Sequence, residues 1–334
     1  MTHQQQGDTM SSSEPEFNDA REYSSLEEVM NTLLTAKGKS FRELDQTGRA
    51  LTGGNKGSLG QIIEESVLKY AINSDAAPDI HIGDTSYELK VTPLKHIKKG
   101  KQTSAKERLV IDIINYLTLA DETDFESSKM WDKAKNIILV YYYDDRTDKK
   151  KELRIDCKVL ASYLMKYEAD DLATIKNDWH VIRDKVASGH ADSLSESDTN
   201  YLAACTKGAN SKQLREAPAP AGANTATIFA KQRAFSLKTS YMTAIARKLL
   251  NRKSETVRLP IPQEQNLDEY VAAKFIPYTG KSSRDIASEL QVSAAPTAKN
   301  YNSSLAFAML GASKSSISKI EQFSKANISQ FKSV

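Results

Sequence analysis

The stretch PDIHIGDTSYELKVTP (residues 78–93) decides how the chain is read. Tyr87, Leu89 and Val91 alternate with Ser86, Glu88, Lys90 and Thr92, the period of two that places apolar and polar side chains on opposite faces of a strand. Asp79 opens the hairpin that leads into this strand. Glu88 and Lys90 therefore share one face with a further acid just upstream. Two readings follow: a solvated strand face, or a site that cleaves phosphodiesters with the help of a divalent ion.

The second reading has a definite chemistry. Cleaving a phosphodiester calls for a cation that polarises the phosphate, and for a group that orients a water. Mg²⁺ takes oxygen ligands. Asp79 and Glu88 converging on one ion, with the backbone carbonyl of Leu89 as a third donor, would suit it. Lys90 would stand over the attacking water, and Glu64 on the preceding helix would complete the set. The spacing alone is weak, because surface strands often alternate Glu and Lys. The adjoining run LKHIKKGKQTSAKERL (94–109) adds Lys95, Lys98, Lys99, Lys101, Lys106 and Arg108, cations of the kind phosphate contacts require.

Outward from this core, SSLEEVMNTLLTAKGKS (24–40) has a helical stripe of Leu26, Val29, Met30, Leu33 and Leu34, with Ser24 or Ser25 as cap and Gly38 as stop. A glycine-rich loop (52–60) leads to a helix with Ile62, Ile63, Val67 and Leu68 on one face. Downstream, 109–120 reads as a buried helix and 136–145 as a central strand, with 151–160 as its hairpin partner. The stretch 162–189 reads as a helix, 199–209 as a packed helix and 208–226 as a long mobile loop. A strand (231–242), a basic helix (243–252) and a linker (259–265) follow. The sum is a mixed α/β fold with a partly antiparallel sheet.

Composition narrows the classes. Forty-six Lys and Arg against 43 Asp and Glu leave a net charge of +3, so any nucleic-acid signal has to be local. Cys157 and Cys205 are too few for a disulfide framework, and there is no signal peptide or long apolar run, which fits a cytoplasmic protein. The five histidines show no zinc spacing. Tyr141, Tyr142 and Tyr143 read as packing residues and Cys205 as a small buried one.

An internal echo closes the chain. Residues 280–334 parallel 38–92, with Glu321, Gln330 and Lys332 at the spacing of Asp79, Glu88 and Lys90, and with Ala306 or Ala308 where a carboxylate would stand. The organisation expected is a disordered tail (1–20), a catalytic unit (21–255), a linker (256–265) and the start of a degraded second copy (266–334) that stops inside its presumed strand.

Five blocks in order, NKGSLGQIIE (55–64), PDI…YELKVTP (78–93), SAKERLVIDIINY (104–116), LSESDTNYLAACTKGA (194–209) and RAFSLKTSYM (233–242), resemble the MutH family, nearer to its restriction endonucleases that cut at GATC than to its mismatch-repair nickase. The resemblance covers residues 25–250. It implies a restriction-endonuclease-like PD-(D/E)xK fold, Mg²⁺, and a constellation matching Glu64, Asp79, Glu88 and Lys90. It further implies double-stranded DNA containing GATC as substrate, a homodimer on DNA and a cognate DNA methyltransferase as genetic partner. Lys207, Lys238 and Thr239 become candidate DNA contacts beside Lys106 and Arg108. A GATC nickase and a non-cutting DNA-binding protein are the alternatives.

Overall fold

The computed structural model of the chain describes residues 22–48, 58–70, 79–97, 102–148, 152–208, 213–250, 256–263, 265–312 and 316–328. The expected tail, Gln330 and Lys332, and Lys98, Lys99 and Lys101 of the basic run lie outside the described residues.

The main sheet is built on β2 (Thr85–Ile97), which pairs in parallel with β5 (Ile137–Tyr143), Glu88 opposite Ile137 and Leu94 opposite Tyr143. On its other edge β2 carries β1 (Ile80–Ile82) near its start and β3 (Gln102–Ala105) near its end, both antiparallel. The far side of β5 holds β6 (Val159–Leu164), antiparallel. β5 is buried on both faces, as its unbroken apolar sequence dictates for a central strand. Ile138, Val140 and Tyr142 enter one core layer, with Leu89 and with α1 (Leu26–Leu34), α2 (Phe41–Leu44) and α3 (Ser58–Gln61) over them. Ile137, Leu139 and Tyr141 enter the other. Since Leu89 faces the first layer, Glu88 and Lys90 stand on the opposite face of β2.

The second layer includes α4 (Tyr116–Asp121), α5 (Lys129–Ala134), α6 (Ala169–Ala187) and α7 (Thr239–Leu249), together with a smaller antiparallel sheet ordered β4 (Leu109–Ile113), β10 (Arg233–Leu237), β7 (Leu202–Thr206). A separate hairpin of β8 (Leu214–Pro218) and β9 (Thr227–Lys231) is inserted between β7 and β10. Toward the C-terminus come α8 (Leu267–Phe275), α9 (Ser283–Glu289), α10 (Tyr301–Met309) and α11 (Glu321–Ala326). Ile320 and Phe323 share the core of Trp179 and Tyr241.

Ser25 caps α1 and Tyr141, Tyr142 and Cys205 are buried, as the sequence implies. Elsewhere the structure corrects the reading. Residues 109–113 are a strand and only 116–121 a helix, because Leu109 and Ile111 are buried alternately with Val110 and Asp112. Residues 202–206 are a strand, not a helix, paired along β10. Strand β10 stops at Leu237, and Lys238 is the N-cap of α7. The partner of β5 starts only at Val159, after a 3-10 turn (Arg154–Asp156), and residues 162–164 belong to it, so the long helix begins at Ala169. The presumed mobile loop contains β8 and the turn to β9. In the presumed linker, Leu259 is buried.

Two short turns have the same geometry. Gly38 and Gly280 take φ of 81° and 80°, a left-handed conformation that glycine adopts without cost. Two residues later Ser40 and Ser282 each cap a helix by accepting from the third helical N–H. The likeness ends at Glu321, which opens helix α11 and not a strand.

Candidate active site

Glu88 is 5% exposed at the start of the β2–β5 ladder, where its N–H donates to the carbonyl of Asn136 at 2.9 Å. Lys90, one pleat on, donates through Nζ to Glu88 Oε1 at 2.5 Å. Glu88 Oε2 is buried with no hydrogen-bond partner among the described residues. Asp79 lies one residue before the β1–β2 pairing begins, and its Oδ2 accepts the N–H of Leu89 at 2.7 Å. In a strand the N–H and C=O of one residue point to the same edge, so the Leu89 carbonyl lies on the Asp79 side.

Glu64 arrives from the helical layer on a π-helical turn, Ile62–Val67, whose wider winding carries the Leu68 N–H to Ile63 O at 2.9 Å. Such turns concentrate at functional sites. Burial, then the charge of Asp79, pushes the Glu64 carboxyl up to about 7; Lys90 opposes the rise, and Glu65 and Glu88 add to it. Burial also raises Glu88, with Asp79 adding to the rise and Lys90 and Lys133 resisting it. The carboxylates therefore crowd one another in a partly dry space with one lysine in hydrogen-bond contact. They form an open set: among the described residues no three donor side chains close on one point as a cation cage. All the same, hard oxygens, mutual repulsion and the orphaned Glu88 Oε2 are what a divalent cation would satisfy.

Sequence reasoning missed Lys133 and Asp112. Lys133 on α5 is mostly buried, acts on Glu88 electrostatically and reaches Asp112 on β4 at 3.2 Å. Nothing in KMWDKAK distinguishes it from the solvated lysines around it. The pair ties the small sheet to the active strand at one particular end, where Asp112 pairs with Phe235 and Thr206 with Arg233.

The DNA-contact candidates divide between the two ends of that sheet. Lys207 is exposed just beyond Thr206, at the Asp112 end. Arg108, Lys238 and Thr239 lie at the opposite end, beside Leu109, Leu237 and Leu202. There Arg108 pairs with Glu196, while half-buried Lys238 donates to the Thr199 carbonyl and burial lowers its pKa. Lys106 sits near Leu94, six residues along β2 from Glu88 or roughly 20 Å at strand spacing, and is held by Asp144 at 3.0 Å. His81 contacts Ser86, and His96, at the far end of β2, pairs with Asp145 at 2.6 Å; neither meets the carboxylates.

Residues 68–178 match the family described as the DNA mismatch repair enzyme MutH, a span that holds Asp79, Glu88, Lys90 and Lys133. Over that span the chain is similar to the MutH family. Among its relatives is the type II restriction enzyme Sau3AI of Staphylococcus aureus, 36% identical over 314 residues and 92% of this chain. The chain spans 61% of that enzyme's length. The DNA mismatch repair protein MutH of Shewanella woodyi is 26% identical over 66% of this chain and 90% of its own length, and that of Shewanella sp. strain MR-7 is 26% identical over 58% of this chain and 80% of its own. The mixed sheet with helices over it is the restriction-endonuclease-like architecture of the MutH family. Glu64 precedes the matched span, so its place in the site rests on its position beside Asp79 and Lys90.

Proposed function

We propose that the chain is a type II restriction endonuclease that hydrolyses double-stranded DNA at GATC with Mg²⁺. The observation that carries this reading is the buried, half-satisfied Glu88 in contact with Lys90 and within the field of Asp79, with its own charge acting in turn on Glu64. Asp79, Glu88 and the Leu89 carbonyl would hold the cation, with Glu64 supporting them. When bound, it would polarise the phosphate and offset the negative charge of the transition state. Lys90 Nζ would hold the attacking water by hydrogen bonding and favour loss of its proton through its positive charge. Release of Glu88 Oε1 from Lys90 makes that nitrogen available.

Lys207 would contact the duplex beside β2, while Lys106 would contribute from the far end of β2 and Arg108, Lys238 and Thr239 from the far end of the small sheet, with Lys106, Arg108 and Lys238 exchanging Asp144, Glu196 and the Thr199 carbonyl for phosphate. One catalytic unit cuts one strand, so double-strand cutting would take two copies on the DNA or two successive events. A methyltransferase acting on GATC would protect the host DNA, and the setting would be the cytoplasm. No described helix is long and apolar enough to cross a membrane. Residues 266–334 would begin a second, non-cutting MutH-like unit, a reading supported by the matched Gly38–Ser40 and Gly280–Ser282 turns.

A second reading, a GATC nickase, draws on the match to nearly the full length of the Shewanella woodyi MutH. Supercoiled plasmid bearing GATC sites, unmethylated, hemimethylated or fully methylated, would be incubated with the chain in Mg²⁺ or EDTA. Linear fragments ending at GATC in Mg²⁺ alone are expected. Nicks without linear product would select the nickase, and binding without any cut would reject both.

A further inference from the structure

We propose that the β8–β9 hairpin is a DNA wedge whose Phe229 side chain inserts at a base step of the bound duplex. This rests on the nuclease reading above and adds the element that grips and deforms the substrate.

Phe229 is 70% exposed, in a position where an aromatic ring gains nothing from the fold. It stands diagonally across the hairpin from Leu214, which is 52% exposed, so the two make one apolar strip on the outward face. The inward face is anchored. Ala217 and Ala230 are fully buried, and Tyr116 Oη donates to the Lys231 carbonyl at 2.5 Å. The turn presses on the end of α6 so closely that a Cβ on Gly189 would lie 2.2 Å from Pro220 N. The ring is thus presented by a braced element, and braced elements hold a contacting group without a large ordering cost.

Charge identifies the occupant. Between 207 and 233 the sequence has Lys207, Lys212, Arg215, Lys231 and Arg233 against one acid, Glu216, in a chain whose total charge is only +3. Glu216 accepts from the Thr227 hydroxyl at 2.7 Å and is tied into the hairpin. A cationic segment bearing an exposed apolar strip on one face fits a polyanion with stackable faces, the combination that kinks duplex DNA at a base step. The location agrees: the hairpin leaves the small sheet at the Thr206–Arg233 end, the end that Asp112 and Lys133 link to Glu88.

The test is binding of the full chain, in EDTA, to a 20-base-pair duplex containing GATC. Phe229→Ala is expected to weaken binding about tenfold, the scale of one lost base–aromatic contact, without changing the salt dependence. Lys207→Ala should instead reduce the salt slope by about one. A fluorescent base analogue moved along the duplex should brighten at one step with the unaltered chain, remain dark with Phe229→Ala and brighten again with Phe229→Trp. Equal binding by Phe229→Ala, with the same fluorescence, would overturn the wedge and leave the nuclease reading standing. A dimer in DNA-free sedimentation that Phe229→Ser dissociates would also overturn it, assigning the strip to a second copy. Failure of the unaltered chain to bind any duplex would reject the nuclease reading itself, and the wedge with it.

Discussion

Two groups of buried charge, one around Glu88 and one around Asp171, use the same kinds of residue and end in opposite states. Around Asp171, Lys325 Nζ contacts both carboxylate oxygens, at 2.8 and 2.7 Å, and also Glu321 at 2.8 Å. Arg258 bridges Glu321 and Asp170, and Gln322 donates to Asp170 while exchanging two hydrogen bonds with the Leu259 backbone. Asp171 is fully buried and Lys325 nearly so. Around Glu88, only Lys90 among the described residues makes a side-chain hydrogen bond to the carboxylate, and Oε2 has no partner among them. The first group is closed and joins the C-terminal segment to α6 and α7. The second is open, and its unmet charge is the ground on which a cation site is proposed there. Burial of an acid alone does not separate the two; completeness of its partners does.

The contrast can be broken at either end. Lys90→Ala or Glu88→Gln should lower plasmid cleavage on the order of 10³-fold while leaving the far-ultraviolet circular dichroism unchanged. Cleavage at an undiminished rate would displace the site. At the closed cluster, Lys325→Met strands Asp171 without its ammonium and should cost about 3–5 kcal/mol in urea unfolding. Adding Asp171→Leu should recover part of that loss, whereas a loss below 1 kcal/mol would show the cluster to be as open as the other.

The pH response sharpens the comparison. The Glu64 carboxyl is raised from 4.5 to about 7 in the folded chain, so between these values the native state binds more protons than the unfolded one. Stability should therefore fall as pH rises through this interval, by at most about 3 kcal/mol, and level off above it. Glu64→Gln should remove that component, so the variant's melting temperature in EDTA should gain on the unaltered chain between pH 5 and 8. Mg²⁺, favouring ionised carboxylates, should restore the unaltered chain more at pH 8 than at pH 5. A pH-independent difference would mean Glu64 is not in the dry site. The smallest effect belongs to Arg258→Met, at the half-open rim of the closed cluster, with about 1 kcal/mol expected in the same urea titration.

How much of this was legible in the sequence depends on what each residue's neighbours encode. The alternation of Tyr87 to Thr92 placed Glu88 and Lys90 together because a strand's period is local and strict. Glu64 was named from the need for a further carboxylate on the preceding helix, and the resemblance matched it, but the local spacing gave no direction for its side chain, since a π-helical turn breaks that spacing. LVIDI is short and apolar, and a run of that length does not distinguish helix from strand; pairing with β10, supplied more than a hundred residues later, decides it. The hairpin was read as a loop because its buried positions are Ala217 and Ala230. Such small side chains leave no hydrophobic alternation to see. Lys133 gave no signal, because its role comes from a fold that carries α5 over β2.

The shared core of Trp179, Tyr241, Ile320 and Phe323 has a consequence for synthesis. During translation the chain can pair β2 with β5 and β6 soon after residue 164 emerges, since those strands are near one another in sequence. The layer around α6 and α7 has to wait for α11, and at 5–20 residues per second on the order of ten seconds pass between the emergence of Trp179 and that of Phe323. Throughout that interval Asp171 lacks Lys325 and a large apolar surface lies open. The nascent chain is then most exposed to aggregation and to proteases, and a ribosome stalled between these residues would release a molecule with β2 and its partner strands built and its second core layer unfinished.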